Sequence, residues 1–173
     1  MIFPRLSPKV VKNGGMVAGA FGLLLMGLPM LEGKTNVAVI PVPGDVPTLC
    51  YGYTKGVGLG DTATDEQCIH YLKAEIEQAL HDVDVLVLVD ISEEERAAYA
   101  SMIYNVGRSA FARSTVLRKV NAGNRLGGCM AMVYKDRNGK WQGWVYLGKR
   151  VLPGLVNRRL AEQELCLRGV RGI

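Results

Sequence analysis

From Asn13 to Leu31 the chain carries no charged side chain, and the run GGMVAGAFGLLLMGLPML is 18 residues long. A bilayer-spanning helix needs roughly 20 apolar residues. The segment is therefore long enough to enter a membrane, and Arg5, Lys9 and Lys12 before it keep the N-terminus on the cytoplasmic side. Whatever follows is then exported. A cleaved signal peptide is disfavoured, because no small-x-small site follows the apolar core. A buried core helix of the downstream domain is disfavoured as well. Gly14, Gly15, Gly19, Gly22 and Gly27, with Ala18 and Ala20, weaken both hydrophobicity and helix propensity. The expectation is a segment that inserts uncleaved and later leaves, with residues 1–31 forming the basic flank and signal anchor and residues 32–173 the folded domain.

A chain of 173 residues, 49% of them hydrophobic, builds one main core. The net charge of +5 suits an anionic partner: nucleic acid, a membrane surface or a cell wall. The basic residues crowd the two ends, with Lys149, Arg150, Arg158, Arg159, Arg168 and Arg171 near the second, and no aromatic residues interleave with them to stack bases. Nucleic acid is not an expected partner. Cys50, Cys68, Cys129 and Cys166 lack metal-type spacing, and only His70 and His81 could assist, so no metal site is expected. In an exported chain such cysteines form disulfides. No phosphate-cradling glycine loop precedes a helix, and no cofactor is expected.

Three prolines and several glycines between Gly33 and Gly60 predict a small strand-and-turn region. Thr64 to Gln67 has capping-box spacing, and Ile69, Leu72, Ile76, Leu80 and Val83 continue on one helical face. Val83 to Ile91 reads either as a strand or as a helix end plus a buried connector. Ser92 to Glu95 is a second capping box, opening a helix that runs to Val106 with Gly107 as its C-cap. Further helices are expected at about 110–122, 125–134 and 154–167. The predicted class is α+β, mainly α: a small β lobe and a helical lobe with a ligand site between them.

Two acidic groups held across such a gap suit glycosidic cleavage, where one protonates the leaving oxygen and the other serves the far sugar face. Glu32 precedes the turn-rich IPVPGDVPTLCYGYT stretch, and Asp45 and Thr48 lie within it. Taken alone, they read equally as the end of the apolar segment, a turn former and a strand start.

Five blocks in order carry a resemblance. They are Leu31-Glu32-Gly33; Pro43-Gly44-Asp45-Val46-Pro47-Thr48 with Cys50-Tyr51-Gly52-Tyr53-Thr54; Ile103-Tyr104-Asn105-Val106-Gly107; Phe111 and Ser114-Thr115 with Leu117-Arg118-Lys119-Val120-Asn121; and Gly154-Leu155-Val156-Asn157-Arg158-Arg159 with Glu162. From Leu31 to about Leu167 the chain resembles the phage-type lysozymes, glycoside hydrolase family 24, and among them the signal-anchor-release endolysins. The resemblance implies a lysozyme-like two-lobed fold and a muramidase that hydrolyses the β-1,4 bond of peptidoglycan and lyses the host. It implies Glu32 as general acid, Asp45 as the group that activates water, and Thr48 as its holder. In many members the aspartate lies six residues before the threonine, where this chain has Val42; here it lies three before.

Asn105 reads as a helix C-cap or, by resemblance, as facing the saccharide. Arg158 and Arg159 read as solvated helix charges, or at least one reaches the site. The resemblance pairs Cys50 with Cys68 and Cys129 with Cys166. Its expected partners are peptidoglycan and, through the N-terminal segment, the inner membrane; the protein is expected to be a monomer exported to that membrane and released to the periplasm. A lytic transglycosylase and a non-enzymatic membrane-inserting lysis protein are the alternatives.

Overall fold

The computed structural model describes residues 19–41 and 44–172. The basic flank, the first part of the apolar run, and Val42 with Pro43 lie outside the described residues. The helices are α1 (Ala20–Leu31), α2 (Asp65–Leu86), α3 (Glu93–Val106), α4 (Arg108–Ala112), α5 (Thr115–Asn121), α6 (Arg125–Met130) and α7 (Pro153–Arg171). The strands are β1 (Thr35–Val39), β2 (Thr48–Cys50), β3 (Val133–Lys135), β4 (Trp141–Gly143), β5 (Tyr146–Leu147) and β6 (Arg150–Val151), paired in sequence as antiparallel hairpins.

α3 is the hub. Its Ala97, Ala98 and Ala100 are fully buried beside Tyr99, Met102 and Ile103, and these small residues let α7, α2 and α1 approach its axis. Both expected capping boxes form: Thr64 accepts from Gln67 N–H at the start of α2, and Ser92 from Glu95 N–H at the start of α3. Each reciprocal pair satisfies donors the helix leaves open.

The apolar run departs from the expectation that it forms no core helix. Over Ala20–Leu31 it is helical, with Ala20, Leu23, Leu24 and Leu28 fully buried against α2 and α3 and with Met26 and Met30 exposed. The burial spacing is that of one helix face, and each leucine removed from water is worth about 1.5–3 kcal/mol, which outweighs the glycine cost. α1 is 12 residues long, and among the described residues no helix is long and apolar enough to cross a membrane.

The β1–β2 hairpin pairs Thr35 with Cys50 and Val39 with Thr48, and the Cys50–Cys68 disulfide (Cα–Cα 5.0 Å) staples it to α2. Val83 to Ile91 is the helix end plus a connector. There the Asn121 side chain accepts from Leu88 N–H and donates to the Leu86 carbonyl, both at 2.9 Å, replacing the backbone partners a strand would have given. The helix expected over 110–122 is broken, because Ser114 caps a new start at Leu117 N–H. The helix expected over 125–134 stops at Met130, and β3 follows. Its turn is built by Asp136, which accepts from the N–H groups of Asn138 and Lys140, and by Gly139 at φ +75°. Asn138-Gly139 between branched and aromatic residues was the signal for it. Cys129–Cys166 (Cα–Cα 5.6 Å) ties α6 to α7.

The disulfides close loops of 18 and 37 residues. Chain-entropy arguments put each at about 3–4 kcal/mol. Replacing Cys129 and Cys166 together by serine should lower the unfolding free energy by about that amount in urea titrations, with the secondary structure retained.

Candidate active site

Glu32 sits where α1 stops. Its N–H still donates to the Leu28 carbonyl at 2.9 Å, but its own torsions are extended (φ −100°, ψ 141°), so the chain leaves the helix there. The side chain is 21% exposed, open enough to meet a ligand. Its Oε1 accepts from Arg158 Nη1. Its Oε2 faces Gly52, where an added Cβ would stand 4.0 Å from that oxygen and 4.0 Å from the Tyr104 hydroxyl. Gly52 adopts φ +99°, a conformation glycine takes at little cost. The Tyr104 hydroxyl donates to the Tyr51 carbonyl at 2.5 Å and pins this turn beside Glu32. Glu32 therefore lies between the turn after β2 and the helical lobe.

Behind it is a buried ionic cluster. Arg158 Nε donates to Glu162 Oε1 at 3.1 Å and Nη2 to the Ser101 carbonyl at 3.2 Å, while the Ser101 hydroxyl donates to the same Glu162 oxygen at 2.7 Å. Arg159 Nη2 donates to Glu162 Oε1 at 3.1 Å and to Asn105 Oδ1 at 2.8 Å. Arg158, Arg159 and Glu162 are 4%, 0% and 0% exposed, so the reading of the two arginines as solvated helix charges is set aside. Two carboxylates face two guanidiniums, and the cluster is neutral. The 2.9 Å approach of Arg159 Nε to Glu162 Oε2 is an ion pair without hydrogen-bond alignment, and Arg159 Nη1 is likewise unsatisfied among the described groups.

Burial opposes the charge on Arg158, but Glu162 and then Glu32 override it and hold its pKa above the ordinary value. For Arg159 burial wins: Glu162 offsets it only in part, Arg158 adds repulsion, and the pKa is lowered. Burial, and next the charge of Glu32, raises the Tyr104 phenol. That hydroxyl stays a donor through the ordinary pH range.

Asn105 lies in the last turn of α3, and Gly107 occupies the C-cap. Arginine has donors only, so the Asn105 atom facing Arg159 is the oxygen, and the amide nitrogen of this exposed residue is left available as a donor. Asp45 is on an exposed turn, where its Oδ1 accepts from Val46 N–H at 2.9 Å. Thr48 opens β2, its hydroxyl donating to the Val46 carbonyl at 3.2 Å. Among the described residues, neither is hydrogen-bonded to Glu32. The structure thus brings Glu32, Asn105, Arg158 and Arg159 together and leaves Asp45 and Thr48 on the facing lobe.

Sequence reasoning missed Ser101, Tyr104 and Gly52 as site residues and gave Glu162 no role. For Glu162 a signal existed, since it lies four residues after Arg158 and three after Arg159, both facing positions on a helix.

The phage lysozyme family model matches residues 30–162. The SAR-endolysin of Enterobacteria phage P21 is 35% identical over 160 residues, 91% of either chain. That of Pseudomonas phage phiKMV is 34% identical over 156 residues, 90% of this chain and 92% of its own. Among solved structures, an endolysin from Escherichia coli O157:H7 phage FAHEc1 is similar at a TM-score of 0.66 and 29% identity, over 90% of this chain and 96% of its own.

Glu162→Gln strips the buried arginines of their shared counter-charge, and breaking a buried pair costs about 3–5 kcal/mol. Urea unfolding of that variant should show a loss of this order. A second outcome concerns alkali. Burial raises both Tyr99 and Tyr104 above the ordinary phenol value of 10.0, so the folded state keeps protons that the unfolded chain releases. Their contribution is complete below that value and is lost as pH rises through the raised values. Stability should begin to fall above pH 10, less steeply in Tyr104→Phe.

Proposed function

Because this chain belongs to the phage lysozyme family, we propose that Glu32 is its general acid and that Asp45 and Thr48 place the attacking water. The protein is an endolysin: a lysozyme-type glycosidase with a lysozyme-like fold, acting on peptidoglycan to lyse the host cell.

The observation that carries the assignment of Glu32 is the division of labour between its two oxygens. Arg158 holds Oε1, and Oε2 is left at the gap beside Gly52. A protonated Glu32 keeps the Arg158 bond through its carbonyl oxygen and offers Oε2–H to the glycosidic oxygen. Glu162 remains as counter-ion to Arg158 during that exchange. On the far sugar face Asp45 takes a proton from water that Thr48 orients. An acid and a water-holding pair on opposite faces of a sugar need no hydrogen bond to each other, and Glu32 has none to Asp45 or Thr48. Asn105 donates to the saccharide through its free amide.

The relatives named SAR-endolysins support membrane-released action in the periplasm. In the proposed cycle, the chain is exported uncleaved to the inner membrane, held there by residues 13–31, and released as a monomer when the membrane potential collapses. Lipid and protein core are similarly apolar to a leucine, so the hydrophobic term nearly cancels between the two states. Smaller terms decide. One is visible at the start of α1, where the Ala20 N–H donates to Glu93 Oε2 at 2.7 Å from the first turn of α3. A carboxylate at a helix N-terminus is favourable, and it has no counterpart in lipid. Docking of α1 carries Glu32 to Arg158, so release and assembly of the site are one event.

Glu32→Gln should abolish turbidity loss of outer-membrane-permeabilised Gram-negative cells and release of new reducing ends, by about 10²- to 10⁴-fold. Equal activity in the variant would sink the assignment, and anhydro products in place of reducing ends would indicate a transglycosylase. Glu93→Ala leaves the apolar run unchanged and removes its receiving carboxylate, at a cost of roughly 0.5–2 kcal/mol. It should delay lysis after the potential is collapsed; unaltered timing would refute the docking role.

A further inference from the structure

The turn at the end of β2 is built under constraint. Leu49 and Tyr53 exchange both backbone hydrogen bonds at 2.8 Å, which leaves Cys50, Tyr51 and Gly52 as a three-residue loop. Cys50 stands at φ +59° and Gly52 at φ +99°. Glycine takes such torsions at little cost and an L residue does not; among the described residues Cys50 is the one non-glycine at positive φ. A backbone held there persists only where its surroundings over-determine it. Two ties secure the loop to α2: the Cys50–Cys68 disulfide, and the stack of the Tyr53 ring on Tyr71, with 4.4 Å between centroids.

Neither tie reaches α3. Tyr104 does, its hydroxyl donating to the Tyr51 carbonyl at 2.5 Å, and among the described residues no other hydrogen bond joins the loop to that helix. Tyr51 is the natural place for a grip between lobes, since its side chain packs against both the main core and the smaller core of the β lobe. Burial, and next the charge of Glu32, raises the Tyr104 phenol, so the grip does not titrate in the ordinary pH range. The loop also bounds the acid. Glu32 Oε1 accepts from Arg158, while Oε2 faces Gly52, where an added Cβ would stand 4.0 Å from that oxygen and from the Tyr104 hydroxyl. One carboxyl oxygen is thus fixed by the helical lobe, and the other is walled by a loop that a single phenol ties to α3.

We propose that Tyr104 is a positioning residue for glycan cleavage: by holding the Tyr51 carbonyl it sets the distance of the Gly52 turn from Glu32 Oε2, and so the space in which the glycosidic oxygen meets the acid. The inference rests on the glycan-cleaving function above and adds what fixes the geometry at the reacting oxygen. Tyr104 itself makes no hydrogen bond to Glu32 and moves no proton. A loop with two left-handed torsions relaxes when a restraint is lost, and a displacement of about 1 Å at a reacting group costs on the order of 10²-fold in rate. One hydrogen bond among several restraints accounts for part of that range, about tenfold. The groups that bind saccharide away from Oε2 are unaltered by its loss, so affinity for the glycan holds.

The test compares Tyr104→Phe with Tyr99→Phe in the full-length protein, counting the reducing ends released from soluble glycan chains prepared from peptidoglycan. Tyr104→Phe keeps the ring and removes one oxygen. Tyr99 lies on the same helix, buried against Phe111 with its hydroxyl 3.4 Å from Cys166 Sγ, so its variant reports the loss of a buried α3 hydroxyl as such. Rates are referred to the folded fraction, taken from thermal unfolding. The expected result is a kcat about tenfold lower in Tyr104→Phe with KM within about twofold of the parent, and a parental kcat in Tyr99→Phe. An unchanged kcat in Tyr104→Phe overturns the positioning role. An equal fall in both variants also overturns it, by reducing the effect to the stiffness of α3. A higher KM at unchanged kcat does so as well, by making the hydroxyl a substrate contact. Release of no reducing ends by the parent protein would instead overturn the glycan-cleaving assignment itself.

Discussion

Two arginines from one turn of α7 share a single buried glutamate, and one of them reaches past it to Glu32. Much else follows from that arrangement. Charges taken out of water cost several kcal/mol each, recovered only when geometry and hydrogen bonding are nearly complete. Ser101 from α3, Asn105 from the end of α3 and Glu32 from the end of α1 supply further partners, although Arg159 Nε and Nη1 keep none among the described groups. Three helices distant in sequence are thereby held in register by polar contacts that a purely apolar interface would leave free to slide. The cluster is neutral only when Glu32 is present. The residue assigned the chemistry is thus also a structural member of the assembly.

The apolar segment occupies a place where two environments compete. Its leucines are satisfied equally by lipid or by the faces of α2 and α3, so hydrophobicity alone does not choose between them. What differs is polar: the Ala20 N–H at one end of α1 meets Glu93, and Glu32 at the other meets Arg158, only in the packed state. Gly19 fits this design, since at φ +87° an added Cβ would stand 2.6 Å from the Glu93 carboxylate. On the proposed cycle, Gly19, one of the glycines that weaken the membrane anchor, also permits the contact of the docked helix with Glu93.

Charge is distributed with similar economy. The acidic and basic groups of the ionic cluster cancel inside the protein, and part of the surplus lies on the β3–β6 hairpins, with Arg5, Lys9 and Lys12 contributing at the other end of the chain. An anionic wall polymer meets that surplus first.

What the sequence determined by itself was local. The capping boxes at Thr64 and Ser92, the C-cap at Gly107 and the apolar period of α2 depend on residues within four positions of each other, and each appears where the spacing put it, except that Ile69 is exposed and Cys68 is buried at the start of α2. Ordered motifs also marked Glu32, Asp45, Thr48, Asn105, Arg158 and Arg159 as the candidate set. The break at Ser114 and the β3–β4 hairpin were written in the same local code, in a serine cap and an Asn-Gly turn, and were passed over for a continuing helix. Tertiary structure decided the rest. That Arg158 and Arg159 are buried and not solvated depends on Glu162, Ser101 and Glu32 together, and an i to i+4 charge pair reads the same in water as in a core. That Ala20–Leu31 lies in a protein core depends on α2 and α3, because an apolar face specifies that it must leave water without specifying what receives it.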